Sequence, residues 1–95
     1  MKRNIIYEKQ FEDELKALEP DSERADDLIR GIEWILQRHP RHGTPVSVSD
    51  PPLWFVPAAD LFGLSYVIYY TYSDKKIYFL SIRVAEEKFM DSGEF

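Results

Sequence analysis

Cysteine is absent from this chain of 95 residues, which excludes disulfide bonds, thiolate catalysis and cysteine-based zinc sites. Only four glycines are present, and they form no glycine-rich phosphate loop and no dinucleotide fingerprint. No apolar run approaches the roughly 18 residues that a membrane-spanning helix requires. The N-terminal segment turns polar at Glu8, Lys9 and Gln10, too early for a signal peptide. We therefore predict a cytoplasmic protein that makes no contact with a membrane.

Positive charge is also scarce, with 12 lysines and arginines against 17 aspartates and glutamates and a net charge of -5. Nucleic-acid-binding domains usually have the opposite balance, so direct binding of nucleic acid is not expected. Ten of the 17 carboxylates lie between Glu8 and Glu33, where only four cations are found. Such a run indicates either the solvated outer face of helices or a docking surface for a basic partner segment.

Residues 21–43 have the pattern of a long amphipathic helix with a signal at each end. The apolar residues recur at helical spacing, and they are Ala25, Leu28, Ile29, Ile32, Ile35 and Leu36. Asp21 is the predicted N-cap, Pro40 prevents the helix from continuing, and Gly43 opens the following loop. Arg38 and His39 fall in the last turn, so this end of the helix holds the densest cationic cluster in the chain.

The remaining elements are shorter. Phe11, Leu15 and Leu18 predict a first helix over residues 8–19, which Pro20 ends. The predicted strands cover residues 4–7, 53–56, 64–72 and 77–84, with a loop over 40–52, a turn over 73–76 and a polar tail over 86–95. Pro57 is expected to end the second strand. The order predicts a single α+β domain over residues 1–95, β-α-α-β-β-β, in which a helical hairpin packs on one face of a small, mainly antiparallel sheet.

The helical hairpin can cover only one face of this sheet, which leaves the other face as a candidate binding surface. Strict alternation in the last strand places Ile77, Phe79, Ser81 and Arg83 on one side and Tyr78, Leu80, Ile82 and Val84 on the other. The candidate partner-binding residues are Trp54, Tyr70, Phe79 and Arg83. The alternative is that the tail or the 44–62 loop folds over this face, with the aromatic residues packed as core.

The two histidines, His39 and His42, are spaced by three residues at a helix end. As metal ligands they would need a carboxylate partner, and no zinc motif has this spacing, so no metal and no cofactor are predicted. Histidine suits acid–base chemistry near neutral pH, but at a helix C-terminus it more commonly stabilises the negative end of the dipole. Two interpretations also apply to three arginines, Arg38, Arg41 and Arg83. They could bind a phosphate or carboxylate of a ligand, or they could form ion pairs at the protein surface.

Residues 3–85 resemble the RelE/ParE toxin superfamily of bacterial toxin–antitoxin modules. The resemblance rests on the order of the elements together with several local patterns. These patterns are Phe11, Leu15 and Leu18 in the first helix, Ile32, Ile35, Leu36, His39, Pro40 and Gly43 at the end of the second, Gly63 with residues 66–69 in the third strand, and residues 77–82 in the last. No pattern is specific alone, and their joint order within one short chain carries the resemblance.

The family implies one of two activities. RelE-like toxins cleave messenger RNA in the ribosome, whereas ParE-like toxins poison DNA gyrase without hydrolysis, and a cognate antitoxin neutralises either kind. A ribonuclease of this type would use Arg41, Arg83 and Tyr66 as catalytic residues, because fixed cations stabilise the charge that develops on the phosphate. This chain has Tyr66 where cleaving toxins commonly have an arginine, and the acidic segment 85–87 where they have a basic pair.

These departures and the acidity of the chain favour a toxin-like protein that acts by protein–protein contact and is not an enzyme. Its predicted partners are a cognate antitoxin and, as a target, gyrase or the ribosome. Two alternatives stay open at this point. One is a ribosome-dependent mRNA endonuclease. The other is a non-toxic member of the family that serves as an interaction module, with a homodimer formed through the open face of the sheet.

Overall fold

The computed structural model describes residues 2–47, 51–59 and 65–85. The helices are α1 (Lys9–Leu18) and α2 (Ser22–Arg38), and a short 3-10 helix follows at Pro40–His42. The strands are β1 (Asn4–Tyr7), β2 (Thr44–Pro45), β3 (Trp54–Ala59), β4 (Ser65–Tyr72) and β5 (Lys76–Val84). The α+β order predicted from the sequence is confirmed, with β2 as an addition, and the predicted tail over 86–95 lies outside the described residues.

The strands form one mixed sheet in the order β1-β5-β4-β3-β2. β1 pairs parallel with β5, and the other neighbours pair antiparallel. The start of β1 therefore lies beside the β4–β5 turn, where Asn4 N–H donates to Lys75 O at 2.9 Å and Ser73 N–H donates to Lys76 O at 2.9 Å.

Helix α2 forms where the sequence predicts it. The Asp21 side chain accepts hydrogen bonds from the amides of Glu23 and Arg24 at 2.9 and 3.3 Å, which satisfies two of the unpaired amides at the helix start. The helix ends at Arg38, ahead of Pro40, which cannot continue it. Its buried residues all belong to the predicted apolar stripe, and they are Ala25, Leu28, Ile29 and Leu36.

Both helices pack on the same face of the sheet, around one core. The core residues are Phe11, Leu28, Ile29, Leu36, Trp54, Val56, Tyr66, Ile68, Tyr70, Ile77, Phe79 and Ile82. Phe11 is the anchor of α1, since it is fully buried and its ring centre lies 5.3 Å from that of Phe79 on β5. Burying one such aromatic side chain stabilises the fold by roughly 1.5–3 kcal/mol.

The edge of the sheet at β2 and β3 corrects two sequence predictions. The segment 40–52 is not a plain loop, because Thr44–Pro45 pairs antiparallel with the first two residues of β3. Pro57 does not end its strand, because β3 continues to Ala59 and Pro57 faces Val67 of β4. β2 is too short to reach Pro57, and an edge strand tolerates proline where no neighbouring strand needs its amide.

A bulge in β5 changes which side chains face the helices. The register between β4 and β5 shifts by one residue at Tyr69/Tyr70, and Leu80 is left as the extra residue. Phe79 and Ile82 would lie on opposite faces under strict alternation, yet both are in the core, with exposures of 0% and 1%. The alternation predicted for this strand is therefore wrong beyond Phe79, because a bulge of one residue reverses the assignment of faces.

The face of the sheet that points away from the helices is partly covered. Val67 and Thr71 on this face are only 7% and 9% exposed. The Thr71 hydroxyl donates to Pro52 O at 2.7 Å, so the segment before β3 lies against the sheet at this point. The Phe55 and Tyr69 rings are half-buried, with their centres 6.5 Å apart. The face has aromatic residues, as predicted, but Phe55 and Tyr69 provide them in place of the predicted set.

Candidate functional site

The C-terminal end of α2 forms one wall of a shallow cleft of about 560 Å³. Its lining residues are Arg3, Arg38, His39, Pro40, Arg41, His42 and Tyr72. We call this site the basic cleft, because three arginines and two histidines line it and no carboxylate of the described residues does. In a chain with a net charge of -5, this local excess of positive charge runs against the overall composition. It agrees with the cationic cluster that the sequence predicts at this helix end.

Arg3 enters the basic cleft from the segment before β1. Its backbone N–H donates to Gln37 O at 3.3 Å, and the Gln37 side-chain amide donates back to Arg3 O at 2.9 Å. The Arg3 Nε–H donates to Ser73 O at 2.8 Å, and the guanidinium lies 5.7 Å from the centre of the Tyr72 ring. Backbone and side chain of Arg3 are thus both held, which gives the guanidinium a defined position beside the end of α2.

Arg38 is held by its own helix. Its guanidinium carbon lies 4.2 Å from the centre of the Trp34 ring, and its Nη1–H donates to Trp34 O at 3.0 Å. The Trp34 side chain is 56% exposed, so it is a surface platform for the arginine and not a core residue. The bond to a carbonyl in the last turn also offsets the negative end of the helix dipole on the wall of the cleft.

Arg41 and His42 are positioned by a buried tyrosine on β4. The Tyr70 hydroxyl donates to Pro40 O at 2.6 Å and accepts from Gly43 N–H at 3.1 Å, and these two groups flank Arg41 and His42. Burial raises the pKa of Tyr70 to about 12, although the bond from Gly43 acts to lower it. The hydroxyl therefore stays protonated at physiological pH and remains a donor to the loop.

Gly43 lets this loop approach the sheet closely. A Cβ atom at Gly43 would collide with the Phe55 carbonyl and the Tyr70 hydroxyl. The φ of Gly43 is -74°, which any residue adopts, so the position requires the absence of a side chain and not an unusual backbone conformation.

A second surface feature lies between the two helices. We call it the acidic groove, a cleft of about 350 Å³ whose lining residues are Tyr7, Phe11, Glu12, Leu15, Asp26, Ile29, Arg30 and Glu33. Its apolar residues come from β1 and both helices, and three carboxylates against one arginine line it. Glu33 is half-buried, and this burial raises the pKa of its carboxyl group. The run of carboxylates in the helices therefore contributes to a concave surface as well as to a solvated face.

Arg83 is engaged at the other end of the sheet. Its Nη2 lies 3.8 Å from Glu14 Oε2, and its Nε–H donates to Ser81 Oγ at 3.3 Å. Glu14 Oε1 accepts from Ser81 Oγ at 2.6 Å and from Ile82 N–H at 3.3 Å. β1 pairs only with residues 76–79 of β5, so the Glu14 carboxylate provides an acceptor for an amide beyond the end of β1.

The bonding around Glu14 also sets its ionisation. Burial acts to raise the pKa of Glu14, but the hydrogen bonds from Ser81, Ile82 and Gln10 together with the charge of Arg83 outweigh it, and the pKa is lowered. Glu14 is therefore ionised at neutral pH and binds Arg83 as a carboxylate.

The three residues predicted to be catalytic are not brought together. Arg41 lies in the basic cleft with Tyr72, at the C-terminal end of β4. Arg83 pairs with Val67, which is the neighbour of Tyr66 at the opposite end of β4. The segment from Tyr66 to Tyr72 spans roughly 20 Å of strand. Tyr66 is also only 2% exposed and belongs to the core between sheet and helices.

Three of the four predicted partner-binding residues lie in the core. Trp54, Tyr70 and Phe79 are 8%, 0% and 0% exposed and face the helices. The expectation that they line an open face of the sheet is corrected, because the register of β3, β4 and β5 directs them inward. Arg83 is at the surface, with 63% of its side chain exposed.

Sequence reasoning found the cationic helix end but did not place Arg3 and Tyr72 beside it. Arg3 precedes the cluster at Arg38–His42 by more than 30 residues, and Tyr72 follows it by a similar distance. Only the parallel pairing of β1 with β5 brings Arg3 to this end of the sheet. No local pattern signals such a pairing. The only local signal is that two cations, Lys2 and Arg3, precede the short first strand.

Across the described ranges, no cluster of histidine, aspartate and glutamate side chains is arranged to hold a metal ion. Within the same ranges, neither helix combines the length and the apolar character needed to cross a bilayer. Comparisons with protein-family models, with characterised proteins and with solved structures found no match to this chain.

Proposed function

We propose that this chain is the toxin-like component of a type II toxin–antitoxin module, which acts in the cytoplasm by protein–protein contact and is neutralised by a cognate antitoxin. The proposal starts from the resemblance of residues 3–85 to the RelE/ParE superfamily. The order of helices and strands on which that resemblance relies is the order found in the fold, which supports the proposal without identifying the target.

The acidic groove is the observation that carries the choice of a protein partner. Its accessible apolar residues, Tyr7 and Leu15, would contact the apolar side of an amphipathic segment. Glu12, Asp26 and Glu33 line the same groove and favour a segment with lysine or arginine on its flanks. A basic amphipathic helix of the antitoxin is the partner that this combination fits best.

The separation of the predicted catalytic residues argues against the cleavage mechanism that the resemblance implies for them. Cleavage needs several fixed cations around one phosphate. Arg41 and Arg83 lie at opposite ends of β4, and Arg83 already bonds to Glu14. Protein–protein contact needs no such convergence.

Growth measurements test the proposal directly. Tightly induced expression in a bacterial host should reduce the viable count, and co-expression of the adjacent open reading frame should restore it. Asp26→Lys should weaken this rescue, because it places a positive charge in the acidic groove. Glu8→Lys is the matched control, because Glu8 is exposed, does not line the groove and makes no side-chain capping bond. Normal growth at high levels of folded protein would overturn a toxic function and favour the non-toxic interaction module, including its homodimer.

A ribosome-dependent mRNA endonuclease is the second candidate, and the position of Arg41 in the basic cleft favours it. This candidate predicts that purified protein binds ribosomes and that Arg83→Ala abolishes toxicity. Retained toxicity in a folded Arg83→Ala variant would exclude the predicted catalytic set. Co-purification with gyrase in place of ribosomes would identify the alternative target.

A further inference from the structure

We propose that the basic cleft is a binding site for phosphate esters, with Arg3, Arg38 and Arg41 as the groups that contact the phosphate oxygens. This inference goes beyond the proposed function, which requires a protein-binding surface and no phosphate site. It also revises the expectation from net charge, because a ligand responds to the local charge of a concave site more than to the total charge of the protein.

The charge of the basic cleft supports an anionic ligand. Three guanidinium groups face the same cleft, and no carboxylate of the described residues lines it to neutralise them. Two arginines elsewhere in the described structure are paired with carboxylates, Arg83 with Glu14 at 3.8 Å and Arg30 with Asp27 at 3.9 Å. Keeping three like charges close together destabilises a fold slightly, so their unpaired state calls for a compensating anion.

The arginines are also pre-positioned. Arg3 uses its Nε–H for Ser73 O, and Arg38 uses one Nη1–H for Trp34 O, so each retains further N–H donors. Tyr72 and Trp34 lie against these two guanidinium groups and restrict their motion. The Arg41 side chain makes no hydrogen bond or ion pair with a described residue, and it lies on a loop that Tyr70 fixes at both flanks. A ligand would therefore order one arginine and find two already in place, which lowers the entropic cost of binding.

The size and lining of the basic cleft select the class of anion. A volume of about 560 Å³ is within the range of small-molecule sites, and it suits a group as large as a nucleotide. Three of the seven lining residues are arginines and no carboxylate of the described residues lines the cleft, which favours an anionic ligand over a neutral one. Phosphate esters have up to two charges per terminal phosphate and bind arginine bidentately, so they match three guanidinium groups better than a single carboxylate does.

Isothermal titration calorimetry of the full chain with sodium pyrophosphate at low ionic strength tests the site independently of toxicity. We expect saturable binding, and Arg41→Ala should weaken it by about tenfold, because a hydrogen bond between charged groups is lost. The Arg41 side chain makes no hydrogen bond or ion pair with a described residue, so this variant should remain folded, which circular dichroism would check. Lys16→Ala is the control, since it removes the same charge from an exposed position in the last turn of α1 and should leave the affinity unchanged.

Two further titrations separate the sources of the phosphate. ATP without a metal ion should bind at least as tightly as pyrophosphate if the site takes free phosphate esters. A single-stranded oligonucleotide should bind more tightly than ATP, with strong salt dependence, if it takes a phosphodiester strand. Either order of affinities supports the site, provided that Arg41→Ala weakens the binding of the ligand. Three results would each overturn the proposal. They are no binding of pyrophosphate, a loss of affinity in Lys16→Ala as large as in Arg41→Ala, and tighter binding of an oligoglutamate peptide than of pyrophosphate.

Discussion

The hydroxyl of Tyr70 donates to the carbonyl of Pro40 at 2.6 Å, across 30 residues of sequence. This bond joins the middle of β4 to the segment that follows α2, and the same oxygen accepts from Gly43 at 3.1 Å. One buried side chain thus connects the core of the sheet with the loop that presents Arg41 and His42.

Tyr70→Phe removes this oxygen and little else. We expect it to lower the free energy of unfolding by about 1–3 kcal/mol, because the Pro40 carbonyl and the Gly43 amide lose their partner. Chemical denaturation monitored by fluorescence would measure the change. Tyr78→Phe is the control, since Tyr78 is half-buried on β5 and its hydroxyl makes no bond to a described residue. An equal effect of both changes would contradict the role assigned to Tyr70.

Two glycine-to-alanine substitutions should change the free energy of unfolding in opposite directions. Gly43→Ala places a methyl group against the Phe55 carbonyl and the Tyr70 hydroxyl, and we expect it to destabilise the fold by about 1–3 kcal/mol through overpacking. Gly31→Ala in α2 meets no atom within 4 Å and should stabilise by about 0.5–1 kcal/mol, because alanine favours a helix. Thermal unfolding of both variants would show the contrast, and a stabilising Gly43→Ala would disprove the close approach of loop and sheet.

Glu14 should make the fold sensitive to acid. Its pKa is lower in the folded chain than the ordinary value of 4.5, so the unfolded chain binds the proton more readily. The contribution of Glu14 to stability is therefore complete above pH 4.5 and is lost as pH falls through the lowered value.

Glu14→Gln tests this dependence. The glutamine oxygen can still accept from Ser81, but the charge that binds Arg83 is gone, and we expect a loss of about 1 kcal/mol at neutral pH. The difference from the unsubstituted chain should shrink as the pH falls below the ordinary value of 4.5 and through the lowered pKa of Glu14. A loss that is independent of pH, measured by denaturation at several pH values, would argue for a purely steric effect.

Glu33 should show the opposite dependence. Burial raises the pKa of Glu33 above 4.5, so the folded chain binds the proton more readily than the unfolded chain. Its contribution to stability is present below 4.5 and is lost as pH rises through the raised value. Glu33→Gln should consequently increase stability at neutral pH, with no increase in acid. A variant that is less stable at neutral pH would show that the Glu33 charge has a favourable partner.

Elements with strong local signals were predictable from the sequence. The stripe from Ala25 to Leu36, with Asp21 before it and Pro40 after it, predicts α2 to within one or two residues of the observed helix. β2 was missed because two residues are too few for a periodic pattern. The prediction for β3 ended too early because a proline usually ends a strand. Only the short length of β2 makes Pro57 an edge position.

The candidate site was predictable only in part. Arg38, His39, Arg41 and His42 are close in sequence, so their proximity in space follows from one helix end. The partner-binding set failed for a different reason. Trp54, Tyr70 and Phe79 lie on the face that the helices cover, and the alternation of a strand does not show which of its two faces that will be. The bulge at Leu80 adds a second error, because it reverses the faces of β5 beyond Phe79.

The sequence by itself determined the kinds of elements, their order and the ends of α2, because apolar periodicity, capping and proline act over a few neighbouring residues. The tertiary structure alone decided the register of the sheet. Parallel pairing of β1 with β5 places Arg3 near Arg38 and completes the basic cleft. The bulge in β5 directs both Phe79 and Ile82 toward the core. Both depend on contacts between residues far apart in sequence, whose relative free energies are set by packing of the whole domain and not by any local segment.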